Sequence, residues 1–303
     1  MQSSSFRSLV SFALPLGLAL ACGQQDKDKN EQVPEAASEV AIGSESANNA
    51  GSAELGEGTA LSRAPARPEP RYILRQAKGL QAADIQKAVD RFRDDLGGAN
   101  NLGAPGTQPQ GHREINWDGV PADRSAPQAF PGDFFKARGA LFKAAGRLQV
   151  SAKASDTIEV AFSNINPTFS ELFRFFSPEK LFSPVDRNKL EVSFTVPGSD
   201  QPATINGFGA VFTDVDVPGH TRMEFYDSYD QKILTVPVPA VKNANGSLSF
   251  VGVKLVDGQR IAKVRMKLGN VALSAFQGEY SGQDAVATDD FLYAEPVEIP
   301  GRL

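Results

Sequence analysis

The sequence predicts a mainly β protein, an antiparallel and jelly-roll-like β-sandwich, with one amphipathic helix on its N-terminal side. Three observations favour this fold class. The 303-residue chain contains 20 Phe, 27 Gly and 20 Pro, a composition typical of a β core with frequent turns. Short segments with alternating apolar residues recur through the second half. Turn residues separate these segments at the spacing found in sandwiches and jelly rolls.

The net charge and the numbers of cysteines and histidines disfavour several classes of function. The net charge of -5 and the pI near 5.3 disfavour nucleic acid as a partner, because phosphate binding needs a basic face. The one cysteine, Cys22, cannot form an intramolecular disulfide. The two histidines, His112 and His220, belong to no zinc-binding set and no nucleophile-elbow pattern. We expect both in exposed turns.

The N-terminus resembles the signal peptide of bacterial lipoproteins, over residues 1–21. An apolar run follows Arg7, is too short to remain as a membrane span, and ends in the sequence LALAC at residues 18–22. This end is similar to a lipobox, although Ala19 stands where Leu is commoner. The resemblance implies cleavage before Cys22, a diacylglyceryl thioether and an amide-linked acyl chain such as palmitate. An ordinary secretory signal is the alternative.

Two further consequences concern the membrane. Several acyl chains give lasting attachment, since each buried CH₂ contributes about 0.8 kcal/mol. Gly23 stands where an Asp would suggest retention at the inner membrane, so we expect the outer membrane or the cell surface.

Residues 22–71 are predicted to be a lipid-anchored linker. The segment is rich in Ala, Ser, Gly, Glu, Gln and Asn and nearly free of aromatic residues. It therefore cannot bury enough apolar surface to offset the entropy lost on folding. We expect it to act as a stalk for the folded part.

Residues 80–97 are predicted to form the amphipathic helix. Four apolar residues recur at helical spacing: Ile85, Val89, Phe92 and Leu96. Two glycines then follow as a C-cap. The narrow apolar stripe favours a helix packed at the edge of the domain over one that binds a partner.

Residues 112–296 are predicted to form the sandwich. Its clearest alternating segments are residues 190–196, 204–214, 223–225, 234–238, 251–255, 262–268 and 285–293. Pro237 and Pro239 indicate an edge strand, and Asp257 with Gly258 predicts a hairpin between its two neighbours. The Phe-rich residues 166–176 predict a short helix or collapsed loop that closes one end of the core, with an exposed aromatic patch as the alternative.

Residues 207–216 are predicted to be the central strand, and they end in Asp214 and Asp216. At i and i+2 of a strand these carboxylates would point to the same side. Asp289 and Asp290 close a strand expected nearby, although only one of the two could face inward. Clustered carboxylates favour a hard cation, so these four residues are candidate ligands for a structural calcium ion. Turn capping by each Asp is the alternative.

The second half is similar to exported bacterial β-sandwiches of the carbohydrate-binding-module type. The resemblance depends on residues 207–216, 223–227, 250–253, 261–265 and 289–291. It implies the β-sandwich architecture, shared with many surface proteins of unassigned role, and in such modules often a structural calcium.

Trp117, Tyr226, Tyr229 and Tyr293 are the aromatic residues best suited to stack on sugar rings, because each has a polar group at its edge. A basic strand face formed by Arg260, Lys263, Arg265 and Lys267 is expected to be a solvated exterior, with contact to an acidic glycan as the alternative.

We therefore expect a cell-envelope lipoprotein whose sandwich binds a glycan or another envelope component. Two other functions remain open. One is a structural or scaffold lipoprotein that binds a protein partner. The other is an extracellular glycoside hydrolase, which would need two carboxyl groups about 5–10 Å apart; Asp118, Asp227 and Glu224 are its candidates.

Overall fold

The computed structural model describes residues 69–153, 160–299 and 301. The predicted signal peptide, Cys22 and nearly all of the predicted linker lie outside these residues. No helix within the described part of the chain is both long enough and apolar enough to cross a bilayer.

Two α-helices and fourteen strands make up the described fold. The helices are α1 (Ala82–Leu96) and α2 (Phe169–Leu172). The strands are β1 (Tyr72–Gly79), β2 (His112–Ile115), β3 (Ala140–Lys143), β4 (Leu148–Val150), β5 (Phe182–Pro184), β6 (Lys189–Thr195), β7 (Pro202–Thr204), β8 (Gly207–Thr213), β9 (Arg222–Tyr226), β10 (Lys232–Pro237), β11 (Leu248–Leu255), β12 (Lys263–Lys267), β13 (Ala287–Ala294) and β14 (Val297–Glu298). Short 3-10 turns occupy Trp117–Gly119, Ala122–Arg124, Lys136–Arg138, Leu273–Ala275 and Glu279–Ser281.

The strands form two seven-stranded antiparallel sheets. The first sheet has the order β1-β11-β8-β13-β5-β4, and β2 also pairs with β13. The second sheet has the order β10-β9-β12-β6-β7-β14, and β3 also pairs with β6. The prediction of a mainly β, antiparallel sandwich is confirmed. The predicted central strand corresponds to β8, an interior strand whose seven residues are all buried.

The main core lies between the inner faces of the two sheets. Phe194 of the second sheet lies 6.2 Å from Phe208 and 5.6 Å from Tyr293 of the first sheet, measured between ring centroids. Val264 and Met266 of β12 are buried in the same cluster. These inward side chains alternate along their strands with outward ones, as the period of two requires.

Helix α1 covers the outer face of the first sheet. Gly209 and Gly252 are directly opposite each other on β8 and β11, and a Cβ on either would lie within 2.7 Å of the Phe92 ring. The two glycines, having no side chains, therefore leave room for the Phe92 ring to pack directly on the sheet. The predicted helix is present and packs on the domain, with its stripe of apolar residues across β11 and the edge strand β1.

The first sheet also includes a strand from before the helix. β1 pairs with β11 from Tyr72 to Gly79, so this sheet begins 40 residues before the predicted start of the sandwich at His112. The alternation in β1 is weak because most of its residues are only half-buried, and for that reason the sequence does not mark it as a strand.

Two local predictions had opposite outcomes. β10, which ends in Pro237, is an edge strand as predicted. The predicted hairpin at Asp257 and Gly258 is wrong, since β11 belongs to the first sheet and β12 to the second. The turn itself exists: Gly258 has a φ of 85°, and the Asp257 carboxylate accepts a hydrogen bond from the Gln259 N–H. It carries the chain from one sheet to the other.

The Phe-rich segment closes a second, smaller apolar cluster. Phe169 of α2 stacks on Phe173 with ring centroids 4.8 Å apart, and Phe276 contacts it from the other side. Phe169 and Phe173 are buried. The predicted short helix is confirmed, and these two rings do not form the alternative exposed patch.

Candidate functional site

The outer face of the second sheet carries a charged groove. Outward residues of β12 are Lys263, Arg265 and Lys267, which alternate with the buried Val264 and Met266. The groove has a volume of about 540 Å³ and crosses four strands. Its charged lining residues are Lys143 of β3, Lys189 and Glu191 of β6, Arg222 and Glu224 of β9, and Arg265 and Lys267 of β12.

The pairing of the strands arranges these side chains in rows. In one row Arg265 lies between Glu191 on β6 and Glu224 on β9, so opposite charges alternate across the sheet. In the next row Lys267 lies between Lys189 and Arg222. All three residues of that row are cations.

The two rows differ in how their charges are neutralised. Arg265 Nε lies 2.9 Å from Glu191 Oε2, and Arg222 Nε lies 2.9 Å from Glu224 Oε1. Within the described residues, neither Lys189 nor Lys267 forms an ion pair. Like charges directly opposite one another destabilise a sheet, so the row of three cations is an unfavourable arrangement in the free protein.

Glu224, one of the two carboxylates of the groove, is held in its charged form. Burial opposes ionisation of Glu224, but hydrogen bonds from Tyr226 Oη and Arg222 Nε lower the pKa of its carboxyl group. Burial raises the pKa of Tyr226, as does its hydrogen bond to Glu224. At neutral pH Glu224 is therefore a fixed negative charge on this face rather than a proton donor.

The four aromatic residues predicted to bind a sugar differ in their exposure to solvent. Trp117 and Tyr293 are 0% exposed. Trp117 stacks on Phe182 at 4.0 Å, and Tyr293 Oη donates to the backbone oxygen of Arg138. A ring enclosed by core side chains cannot stack on a sugar in solvent, so for these two residues the predicted role is wrong.

The other two aromatic residues lie at the end of β9 and in the turn after it, and neither is among the residues that line the groove. Tyr226 is on β9, on the same face as Glu224, and its ring contacts the cations of Lys232, Lys263 and Arg265 at 4.8–6.0 Å from the ring centroid. Tyr229 follows in the β9–β10 turn and is 78% exposed. Tyr229 therefore offers a free aromatic face, whereas the ring of Tyr226 is largely covered.

The predicted calcium ligands divide into two groups, and only one of them has the geometry of a cation site. Carboxylate oxygens of Asp214, Asp216 and Glu279 lie within 4.8 Å of one another. Asp214 directly follows β8 and has a φ of 67°, so it has left the strand. Burial, with the charges of Asp216 and Glu279, raises the pKa of Asp214 to about 9.

These three carboxylates fit part of a calcium site. Ca²⁺ takes six to eight oxygen ligands, so backbone carbonyls or water would supply the remainder. Without a cation the cluster requires protons, as the raised pKa of Asp214 indicates. Glu279 was not among the predicted ligands, since nothing in the sequence indicates that residue 279 lies beside β8.

Asp289 and Asp290 form a separate group. Both are buried, and both carboxylates reach the same hydroxyl group, which regular alternation of a strand would not allow. A register shift between Thr288 and Phe291 explains this, because a β-bulge lets two successive side chains share one face. Ser177 Oγ lies within hydrogen-bond distance of both carboxylates, and the Phe176 N–H donates to Asp289. Neither residue belongs to the three-carboxylate group around Asp214.

The candidate hydrolase carboxylates do not share a cleft. Asp118 accepts from the Lys180 N–H, and Asp227 accepts from the N–H groups of Tyr229 and Gln231 in the β9–β10 turn. Glu224 lies in the charged groove, whereas Asp227 lines a different one.

The prediction for His112 is wrong, because it begins β2 rather than lying in an exposed turn. It is 4% exposed, with Nε2 at 2.8 Å from Glu114 Oε1. His220 is only partly exposed, and its Nδ1 is buried without a hydrogen-bond partner.

The groove depends on residues that the sequence did not single out. Lys143, Lys189 and Arg222 come from three strands that are far apart in the chain. The alternation of β6 and β9 indicates that their charged residues point outward, but only the strand order places them beside β12.

A scan against protein-family models gives no match for this chain, and neither does a search of curated proteins.

Proposed function

We propose that this chain is a lipid-anchored protein of the cell envelope whose β-sandwich binds a glycan, without catalysis, in the groove on the second sheet. Cys22 would carry the lipid, and the linker after it would hold the sandwich away from an outer membrane or cell surface.

The observation that supports this function is the polar groove across β3, β6, β12 and β9. It is open to solvent, is lined by seven charged side chains and has a volume of about 540 Å³, which lies in the range of ligand pockets. Glycans present many hydroxyl groups, and fixed carboxylates and cations are suitable partners for them.

The state of the groove carboxylates favours binding over hydrolysis. A glycosidase needs one carboxyl group that keeps its proton at the working pH. Glu224 has a lowered pKa, and Glu191 forms an ion pair with Arg265. Glu224 is therefore a poor proton donor, and Glu191 is engaged by a cation.

The test is binding of the full chain, in detergent micelles, to an array of neutral and acidic polysaccharides. We expect retention on at least one polysaccharide, with no release of reducing ends over the same period. Absence of binding throughout, together with capture of one specific envelope protein by cross-linking, would support a scaffold role instead. Release of reducing ends would support a hydrolase.

The anchor has its own test. A Cys22→Ser variant should lose the mass of the acyl chains and move from the membrane fraction to the soluble fraction after processing. Unchanged mass and unchanged membrane partitioning would contradict lipidation at Cys22.

A further inference from the structure

The row formed by Lys189, Lys267 and Arg222 contains more positive charge than the protein neutralises. These residues are directly opposite one another on β6, β12 and β9. Neighbouring strands lie about 4.8 Å apart, so the three side chains start within about 10 Å. Arg222 turns toward Glu224 in the next row. The two lysines form no ion pair among the described residues.

The groove as a whole has the opposite sign to the chain. Five cations and two carboxylates line it, on a protein whose net charge is -5. Lys143, on β3, lies opposite Glu191 and adds a cation on the far side of the groove. A local positive region on an acidic protein attracts an anion while the rest of the surface repels one.

We infer that the ligand of this groove is an acidic polysaccharide, whose carboxylate, sulfate or phosphate groups lie on the Lys189–Lys267–Arg222 row. This inference depends on the proposed glycan-binding function and specifies its substrate class. The charged groups of the polymer would relieve the repulsion along the row, and its hydroxyl groups would meet the alternating charges of the Glu191–Arg265–Glu224 row.

The shape and the charge both favour a polymer over an anionic membrane surface. The cations line a groove, which a single chain can enter and a flat bilayer cannot. The chain as a whole carries a net charge of -5, so an extended anionic surface would also be repelled by the protein. Lysine ammonium groups act as point charges, so the site should accept several kinds of anionic group.

The experiment compares polygalacturonate with its fully methyl-esterified form, using the full chain in detergent micelles. The two polymers share a backbone, and only the first is anionic. We expect at least tenfold tighter binding of polygalacturonate, and the difference should disappear at high salt.

A double variant, Lys189→Gln with Lys267→Gln, should lose at least tenfold in affinity for polygalacturonate without any fall in its melting temperature. The matched control is Lys87→Gln with Lys242→Gln, which changes the net charge equally at exposed lysines of α1 and of the β10–β11 connection. The control should bind as the unmodified protein does.

Four results would overturn the inference. Equal loss in both double variants would mean attraction by net charge alone. Equal binding of the neutral ester would refute the acidic ligand and leave the glycan-binding function standing, whereas failure to bind any polysaccharide would refute both. Binding only to micelles doped with phosphatidylglycerol, dependent on Lys189 and Lys267, would assign the row to a lipid surface.

Discussion

The two sheets of this sandwich differ most in their outer faces. The outer face of the first sheet is covered by α1, and the glycine pair on β8 and β11 admits the Phe92 ring to the backbone. The outer face of the second sheet carries charged residues on β6, β9 and β12, and they line an open groove. Both inner faces serve one core. The difference teaches that one outer face is closed by packing, whereas the other remains open and charged, and it is the open face to which our proposal assigns ligand binding.

The largest effect is expected on the covered face. Phe92→Ala removes a fully buried ring from between α1 and β11, and such truncations cost about 3–5 kcal/mol. Denaturant unfolding should show that loss. Tyr229→Ala, at a ring that is 78% exposed, should leave stability nearly unchanged, and an equal loss in both variants would contradict the assignment.

Adding a single methyl group tests whether Phe92 packs directly on these glycines. Gly252→Ala places a Cβ 2.6 Å from the Phe92 ring, so the ring and α1 must shift, at a cost of about 1–3 kcal/mol. Gly119→Ala is the control, because nothing lies within 4 Å of its added Cβ. A Gly252 variant as stable as the control would show that α1 does not sit on these glycines.

The cluster formed by Asp214, Asp216 and Glu279 should make the stability of the protein depend on pH. Asp214 keeps its proton in the folded protein up to a pKa of about 9, whereas the unfolded chain loses it near about 4. The folded state is therefore disfavoured as the pH rises between these values. Asp214→Asn removes this cost and tolerates the positive φ. Its melting temperature should exceed that of the unmodified protein at pH 8, by about 2–4 °C for each kcal/mol, and match it near pH 4.

Calcium adds a second result to the same measurement. If Ca²⁺ binds Asp214, Asp216 and Glu279, it should raise the melting temperature of the unmodified protein at pH 8 and have little effect on Asp214→Asn. Equal response of the two proteins would contradict the predicted calcium site.

The smallest effect on stability is expected on the open face. Lys189→Gln with Lys267→Gln removes a pair of like charges that are directly opposite. Stability should rise by a few tenths of a kcal/mol, in the range of about 0.2–1 kcal/mol for cross-strand pairs. Destabilisation in urea by more than 1 kcal/mol would show that these lysines support the fold.

The sequence predicts the parts of this structure that depend on local patterns. Alternation along β12 separates Val264 and Met266 from the outward lysines, and the helical period locates α1. Local patterns do not contain strand order. For that reason the turn at Asp257 suggests a hairpin, although the chain crosses between sheets there, and the row containing Lys189 and Arg222 becomes visible only in the fold.

Predictions of site residues are limited in the same way, because local patterns do not show which residues the fold buries or brings together. Trp117 has a polar edge, which is compatible with sugar stacking, but its N–H donates to the buried backbone oxygen of Asp289. Asp289 and Asp290 share one face because a bulge interrupts the period of two. Asp214 and Asp216 do lie close together as predicted, with Glu279 brought to them from a segment far along the chain.

The location of the binding face is most directly tested by lysine acetylation, followed by mass spectrometry, with and without polygalacturonate. We predict that the ligand protects Lys189 and Lys267 on the second sheet and leaves Lys87 on α1 fully reactive. Protection of Lys87 with unchanged labelling of Lys189 and Lys267 would contradict the assignment of ligand binding to the open face.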